Sequence, residues 1–344
     1  MSTNIISFPA TAPQPPHSHH TATTQPSTIR STKLRSSKTY TTMSPAIKNI
    51  AFVGATGELG VFFVDEFQKS GTEFNVTVLT RKQSEAKTKD QFANKPQFTV
   101  RGVDYADELS LVDALTGQDA VLSTIAGEAL LSQIDIARAA EKAGVKYFIP
   151  SGFGSDINHP GNKDVTLFAP KRAVQKALHE TSLGYVIVST GFFVDHAIDP
   201  SFGWDLASHK VNIVGDGTAR NTYTARSDVA KYTIAALKRV EELRNKDLRI
   251  GSYHLSTNDL VEIINKLSGS QLAVTHTPVE EVEAIVAKDK QESGGWNTVL
   301  PQLSLVLARG DATINWGDNK LDNDKFPEIT PAPIEFYVKQ ALSH

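Results

Sequence analysis

Seven consecutive residues, Gly54-Ala55-Thr56-Gly57-Glu58-Leu59-Gly60, constrain this chain more than any other stretch. They follow a short apolar run, residues 49–54 (NIAFVG), and precede residues 61–69, whose apolar side chains recur at helical spacing. A strand that stops at glycine and restarts as a helix within a few residues has to turn tightly, and glycine tolerates the backbone angles involved. In such a turn the first glycine permits the bend, the second lets backbone approach a pyrophosphate, and the third lets the helix sit close to the sheet. The helix start then offers unpaired N–H groups and the positive end of its dipole to phosphates. The motif points to a dinucleotide.

The segments that follow alternate between strand and helix patterns. Residues 75–80 (NVTVLT), 99–102, 120–125 (AVLSTI) and 146–150 (KYFIP) read as short buried strands. Residues 110–115 and 130–143 have helical spacing, the second ending at Gly144. Regular alternation of this kind predicts an α/β fold, a Rossmann-type doubly wound parallel sheet. We expect the nucleotide-binding part to occupy residues 44–190. A smaller C-terminal α/β substrate-binding part should come mainly from residues 191–344, interleaved with the first. The site should lie in the crevice at the carboxyl ends of the strands.

Composition narrows the classes. With 344 residues, 40% hydrophobic and 21% charged, the chain can bury a sizeable core, so it is neither disordered throughout nor fibrous. A net charge of -3 gives no basic excess for a nucleic-acid partner. Without cysteine there are no disulfides, thiol nucleophiles or Cys-type metal sites. No stretch has the roughly 20 apolar residues that a membrane span needs. Residues 1–43 contain no Asp or Glu and are rich in Ser, Thr and Pro, a composition that predicts disorder. They hold no secretory h-region. Their acid-poor, mildly basic character is that of a mitochondrial transit peptide, but Pro9, Pro13, Pro15, Pro16 and Pro26 oppose an amphipathic helix. A cytoplasmic protein with a passive leader, or one starting at Met43, is the simpler expectation; mitochondrial import stays open. His17, His19 and His20 could bind a metal only adventitiously, and no metal site is assigned.

Cofactor choice turns on the end of the second strand. An NAD site places Asp or Glu there for the ribose hydroxyls. This strand ends Thr80-Arg81-Lys82, so Arg81 can fork onto a 2′-phosphate, with Lys87 and Lys89 in the following segment. NADP is therefore expected. Asp104 and Tyr105, after the third strand, fall where this fold meets the adenine. The catalytic group is found by exclusion. None of the eight tyrosines has Lys four residues later, which removes the usual short-chain dehydrogenase acid. There is no G-x-S-x-G elbow and no H-E-x-x-H.

The G-x-x-G-x-x-G spacing, the run Phe148-Ile149-Pro150-Ser151-Gly152-Phe153-Gly154 and the segment Phe168-Ala169-Pro170-Lys171-Arg172-Ala173-Val174-Gln175-Lys176-Ala177 together resemble the NmrA-like / isoflavone reductase-like family of atypical short-chain dehydrogenases. The resemblance spans roughly residues 48–340. It implies an NADPH-dependent reductase of an aromatic or conjugated small molecule. It also implies Lys171 as general acid–base group, residues 54–60, Arg81 and Lys89 on NADP, and Phe153 near the nicotinamide. Two departures stand out. The family's reductases commonly have Glu where this chain has Gly152, and often a cofactor-touching Arg where it has Gln175. The family also holds dinucleotide-sensing regulators that bind a protein partner without turnover, which remains the alternative. A homodimer is compatible with either.

Other features have plainer expectations. Residues 185–190 read as a strand, and Phe192 and Phe193 after it could wall a substrate pocket or fill the core. Trp204, Trp296 and Trp316 lie in the irregular C-terminal part. Residues 214–217 (VGDG) read as a hairpin turn. Asp228 reads as a helix cap, and Ser256-Thr257-Asn258-Asp259 as an N-cap with an acid in the first turn.

Overall fold

The computed structural model describes residues 47–343. The disorder and targeting expectations for residues 1–43 lie outside the described residues.

The predicted alternation becomes β1 Asn49–Val53, α1 Gly60–Lys69, β2 Asn75–Arg81, α2 Glu85–Phe92, β3 Phe98–Val103, α3 Glu108–Leu115, β4 Ala120–Ser123, α4 Ser132–Lys142, β5 Tyr147–Ile149, α5 Ala169–His179 and β6 Gly184–Ser189. Then come the short β7 Phe192–Phe193 and α6 Val194–Ala197, β8 Trp204–Asp205, β9 Lys210–Val214, β10 Arg220–Thr224, α7 Arg226–Lys238 and β11 Lys246–Arg249. The described chain closes with β12 Tyr253–Ser256, α8 Thr257–Ser268, β13 Ala273–Thr277, α9 Val279–Ser293, α10 Val299–Arg309 and α11 Ile334–Leu342.

Seven strands form one sheet in the order β11-β6-β5-β4-β1-β2-β3, and every pairing in it is parallel. Parallel strands need crossovers, and here the helices supply them on both faces. Strand β1 shows why. Ile50 and Phe52 point to one face, among Phe63 and Phe67 of α1 and Tyr232 of α7. Ala51 and Val53 point to the other, among Leu111 of α3, Ile136 of α4 and Val174 of α5. Successive side chains of a strand alternate faces, so an unbroken apolar run is what a doubly covered strand requires. The order reverses between β1 and β4, which opens a crevice at the carboxyl ends of those strands.

The C-terminal part has two small sheets, β12-β10-β7 and β13-β9-β8, around a second core that holds Trp204, Tyr223, Leu260 and Val338. The chain does not stay there after residue 191. Helix α7 packs beside α1, and β11 pairs with β6 as the last strand of the large sheet.

Two local expectations are corrected. Residues 214–217 turn the chain, but β9 and β10 are not a hairpin. β9 pairs with β8 and β13, whereas β10 pairs with β7 and β12. The turn passes the chain from one small sheet to the other. Asp228 is not a cap either. Ala225 holds the N-cap position of α7, and Asp228 sits inside the first turn, fully buried. Its carboxylate accepts from Lys231 Nζ at 2.8 Å and from Ser252 Oγ at 3.4 Å, tying the helix to the loop before β12. The cap expected at residue 256 forms as a full capping box. Ser256 Oγ accepts from the Asp259 N–H at 3.1 Å, and Asp259 accepts from the Ser256 N–H at 2.8 Å. Ser256→Ala leaves one of these N–H groups without its partner. We expect a loss of about 1 kcal/mol, measured by urea unfolding; an unchanged midpoint would contradict it.

Candidate active site

The glycine turn lies at the edge of a cleft of about 1040 Å³, bounded by the carboxyl ends of β1, β2 and β4 and the loops after β3 and β5. Residues 54–59 line it, and the third glycine lies beneath. A Cβ on Gly60 would come 2.8 Å from the Ala55 carbonyl carbon and closer still to the Gly54 carbonyl oxygen. Only glycine lets α1 start this near β1. Gly54 has φ +93°, and a Cβ there would meet Thr124 Oγ1 at 2.8 Å. Gly57 N–H donates to Gly54 O at 3.0 Å and closes the turn. Among the described residues, the N–H groups of Thr56, Glu58 and Leu59 donate no hydrogen bond. These donors at a helix start, facing a cleft, fit the phosphates of a dinucleotide.

Arg81 ends β2 and lines the cleft, as do Ser84, Lys87, Thr88 and Gln91. The last four fall at i, i+3, i+4 and i+7, one stripe of α2 and the turn before it. Lys89 falls off that stripe. It does not line the cleft, and its ammonium pairs with Glu85 at 2.8 Å. Of the two lysines expected beside Arg81, Lys87 shares the cleft with it and Lys89 does not. Tyr105 lines the cleft and its hydroxyl donates to Leu79 O at 3.0 Å; burial pushes its phenol pKa up. Asp104 turns away to cap its own loop, accepting from the Ala106 N–H.

The other end of the cleft is built on the loop after β5. Gln133, buried in α4, accepts from the Ser151 N–H at 2.8 Å and donates to Leu130 O at 3.1 Å. Gly154 exchanges hydrogen bonds with Thr190 at the end of β6. Phe153 is buried, with its ring 5.5 Å from that of Phe63. This pinned loop holds Lys171 from α5. Lys171 Nζ donates to Phe153 O at 2.7 Å and to Gly152 O at 3.4 Å, and the side chain lines the cleft. Two N–H groups are thus taken up by carbonyls. The third position on nitrogen, a proton or a lone pair, stays available. Desolvation draws the Lys171 pKa from its ordinary value near 10.5 to about 8. Its place in the first turn of α5, at the positive end of the helix, acts in the same direction.

Gln175, one helical turn beyond Lys171, does not line the cleft. A Cβ at Gly152 would come 3.3 Å from Ile187 Cγ2, so a larger side chain there would press on β6. Phe193 lines the cleft, whereas Phe192 packs in the second core against Phe202 and Tyr223. No tryptophan lines it. Trp204 is buried beside a separate cavity of about 40 Å³, Trp296 is half-exposed, and Trp316 donates to Asp156 at 3.0 Å. Two titratable cleft residues carried no sequence signal: His196 of α6 and Arg226 of α7 reach it from the C-terminal part. Among the described residues no group of three or more metal-ligating side chains gathers, and no helix is long and apolar enough to cross a membrane.

Sheet order, glycine turn and cleft define a Rossmann-type α/β protein with a titratable lysine inside the cleft. Comparison is consistent with this and more specific. The chain belongs to the NmrA-like family, whose model matches residues 46–293. It is 32% identical over 243 residues to oxidoreductase aprR of Aspergillus flavus, covering 69% of this chain and 79% of that one. It is 30% identical over 305 residues to a phenylcoumaran benzylic ether reductase of Populus trichocarpa, covering 85% and 98%. A solved structure described as AtPrR2 with NADP+ and (+)pinoresinol shares the fold, with TM-score 0.72 at 23% identity over 86% of this chain and 99% of that one.

Proposed function

We propose that the protein is an NADPH-dependent reductase of an aromatic or conjugated small molecule, with Lys171 as the proton-transfer group. The observation that carries this is the lysine itself: held by two backbone carbonyls inside the cleft, with its pKa drawn to about 8. A group so poised can give or take a proton near neutral pH. The names of the matched relatives, an oxidoreductase and a benzylic ether reductase, support the class.

NADPH, when bound, supplies the hydride. The protein's own residues bind and orient it. The free N–H groups of the glycine turn suit the diphosphate, Arg81 and Lys87 suit the 2′-phosphate, and Phe153 offers an apolar wall beside Lys171. Lys171 gives a proton to the substrate oxygen in the reductive direction and takes it back in reverse. Phe193 supplies an aromatic surface for a flat substrate.

The test is NADPH oxidation by purified protein against a panel of aromatic enones, lignan-type ethers and quinones. We expect turnover of at least one class. Binding of both cofactors without any turnover would favour a dinucleotide-sensing regulator instead. Cofactor choice has its own test. Arg81→Ala should weaken NADPH roughly tenfold or more, the scale of a charge-assisted contact, and leave NADH nearly unchanged. An unaltered preference by fluorescence titration would remove Arg81 from the 2′-phosphate.

A further inference from the structure

The cleft holds a charged group that hydride and proton transfer do not use. Arg226 is the first residue of α7, and its side chain is only 18% exposed. Its Nε donates to Asp195 Oδ2 at 2.8 Å, and its backbone N–H donates to Asp195 Oδ1 at 3.3 Å. The guanidinium carbon lies 5.2 Å from the Phe62 ring centroid. One edge of the guanidinium is therefore pinned and one face is stacked. Among the described residues Nη1 and Nη2 donate no hydrogen bond. The carboxylate facing Nη1 is Glu58, at 3.9 Å, beyond hydrogen-bond distance. The same Glu58 oxygen lies 3.9 Å from His196 Nε2. Glu58, His196 and Arg226 all line the cleft.

An arginine held in this way is a pre-oriented fork, and planar oxyanions are what such a fork matches. Glu58 is 79% exposed, so its carboxylate can swing into water at little cost. Asp195 balances the guanidinium charge, and Asp199, held by Ser201, also bears on His196 and Arg226, so Glu58 is a further, exposed negative charge beside these donors.

We propose that Arg226 and His196 form an oxyanion-recognition pair beside the glycine turn, with Glu58 as a displaceable carboxylate that competes for it. This rests on the reading of the cleft as the site of a dinucleotide and a small molecule. The oxyanion can come from either: the diphosphate bridge of the dinucleotide or a carboxylate on the substrate.

Isothermal titration of the parent protein, Arg226→Gln and Glu58→Gln separates the sources. The probes are NADP+, 2′,5′-ADP, which lacks the diphosphate bridge, and cinnamate and cinnamyl alcohol added to the NADP+-loaded protein. Arg226→Gln should weaken one anionic probe by roughly 10- to 100-fold, and Glu58→Gln should tighten the same probe. If the diphosphate is the ligand, NADP+ changes more than 2′,5′-ADP and cinnamate does not. If the substrate is the source, cinnamate changes while cinnamyl alcohol and NADP+ do not. Should Arg226→Gln fail to fold, the exposed Glu58→Gln change still tests the competition. Unchanged affinities for NADP+ and cinnamate in both variants would overturn the pair, as would Glu58→Gln weakening both probes. A parent protein that binds neither dinucleotide nor carboxylate would overturn the cleft reading itself.

Discussion

Lys171→Met should lower kcat by roughly 10²- to 10⁴-fold, the range for removing a general acid. NADPH affinity changes far less, because the glycine turn and Arg81 lie at the other end of the cleft. Lys171→Arg should stay nearly inactive, since a guanidinium does not give up its proton near neutral pH. If Lys171 is the proton donor, the parent protein needs its acid form for reduction. The reductive rate should hold below pH 8 and fall as pH rises through about 8, while the reverse reaction gains over the same interval. Stability moves the other way from activity. The folded pKa of about 8 lies below the ordinary 10.5, so protonation favours the unfolded chain. The penalty is complete below pH 8 and fades between pH 8 and 10.5. Lys171→Met loses the two carbonyl hydrogen bonds at every pH, but its melting temperature relative to the parent should be highest at neutral pH and fall towards pH 10.5. Steady-state kinetics and thermal melts across pH read both effects. A variant with parental kcat would end the proton-transfer role.

Gly60→Ala is expected to abolish dinucleotide binding. Its Cβ has nowhere to go: the obstructing atoms are backbone of residues 54 and 55, not a flexible side chain. Helix α1 has to move off β1, which pulls the N–H groups out of line and costs about 1–3 kcal/mol of stability. Gly57→Ala is the matched comparison. Its Cβ would stand 3.3 Å from the Gly54 carbonyl oxygen, a contact that a small shift relieves. We expect a more than hundredfold loss of NADPH affinity for Gly60→Ala and a smaller one for Gly57→Ala, by fluorescence titration. Equal, minor effects at both positions would mean that the close approach of helix to strand does not shape the site.

These two residues also show why the centre of the site was legible in the chain. A glycine turn, a capping box and a strand buried on both faces are local patterns, set by backbone angles and side-chain alternation over a few residues. The G-x-x-G-x-x-G run, Ser256 with Asp259, and the five strands from β1 to β5 could be read from neighbours alone. Lys171 could be placed after the fifth strand, but its two carbonyl partners and its desolvation depend on the loop 152–154, pinned by Gln133 and Thr190.

What the chain determined by itself was the alternation of elements, the glycine turn and the basic end of the second strand. Tertiary structure decided the rest, because partner choice and helix phase are long-range. Lys87 faces the cleft and Lys89 does not, since helix phase puts Lys87 in one stripe with Ser84, Thr88 and Gln91. The turn at residues 214–217 separates two sheets because β9 and β10 each find partners far along the chain. His196 and Arg226 meet Glu58 only after α7 returns to pack beside α1, a contact between residues more than 130 positions apart that no local pattern encodes.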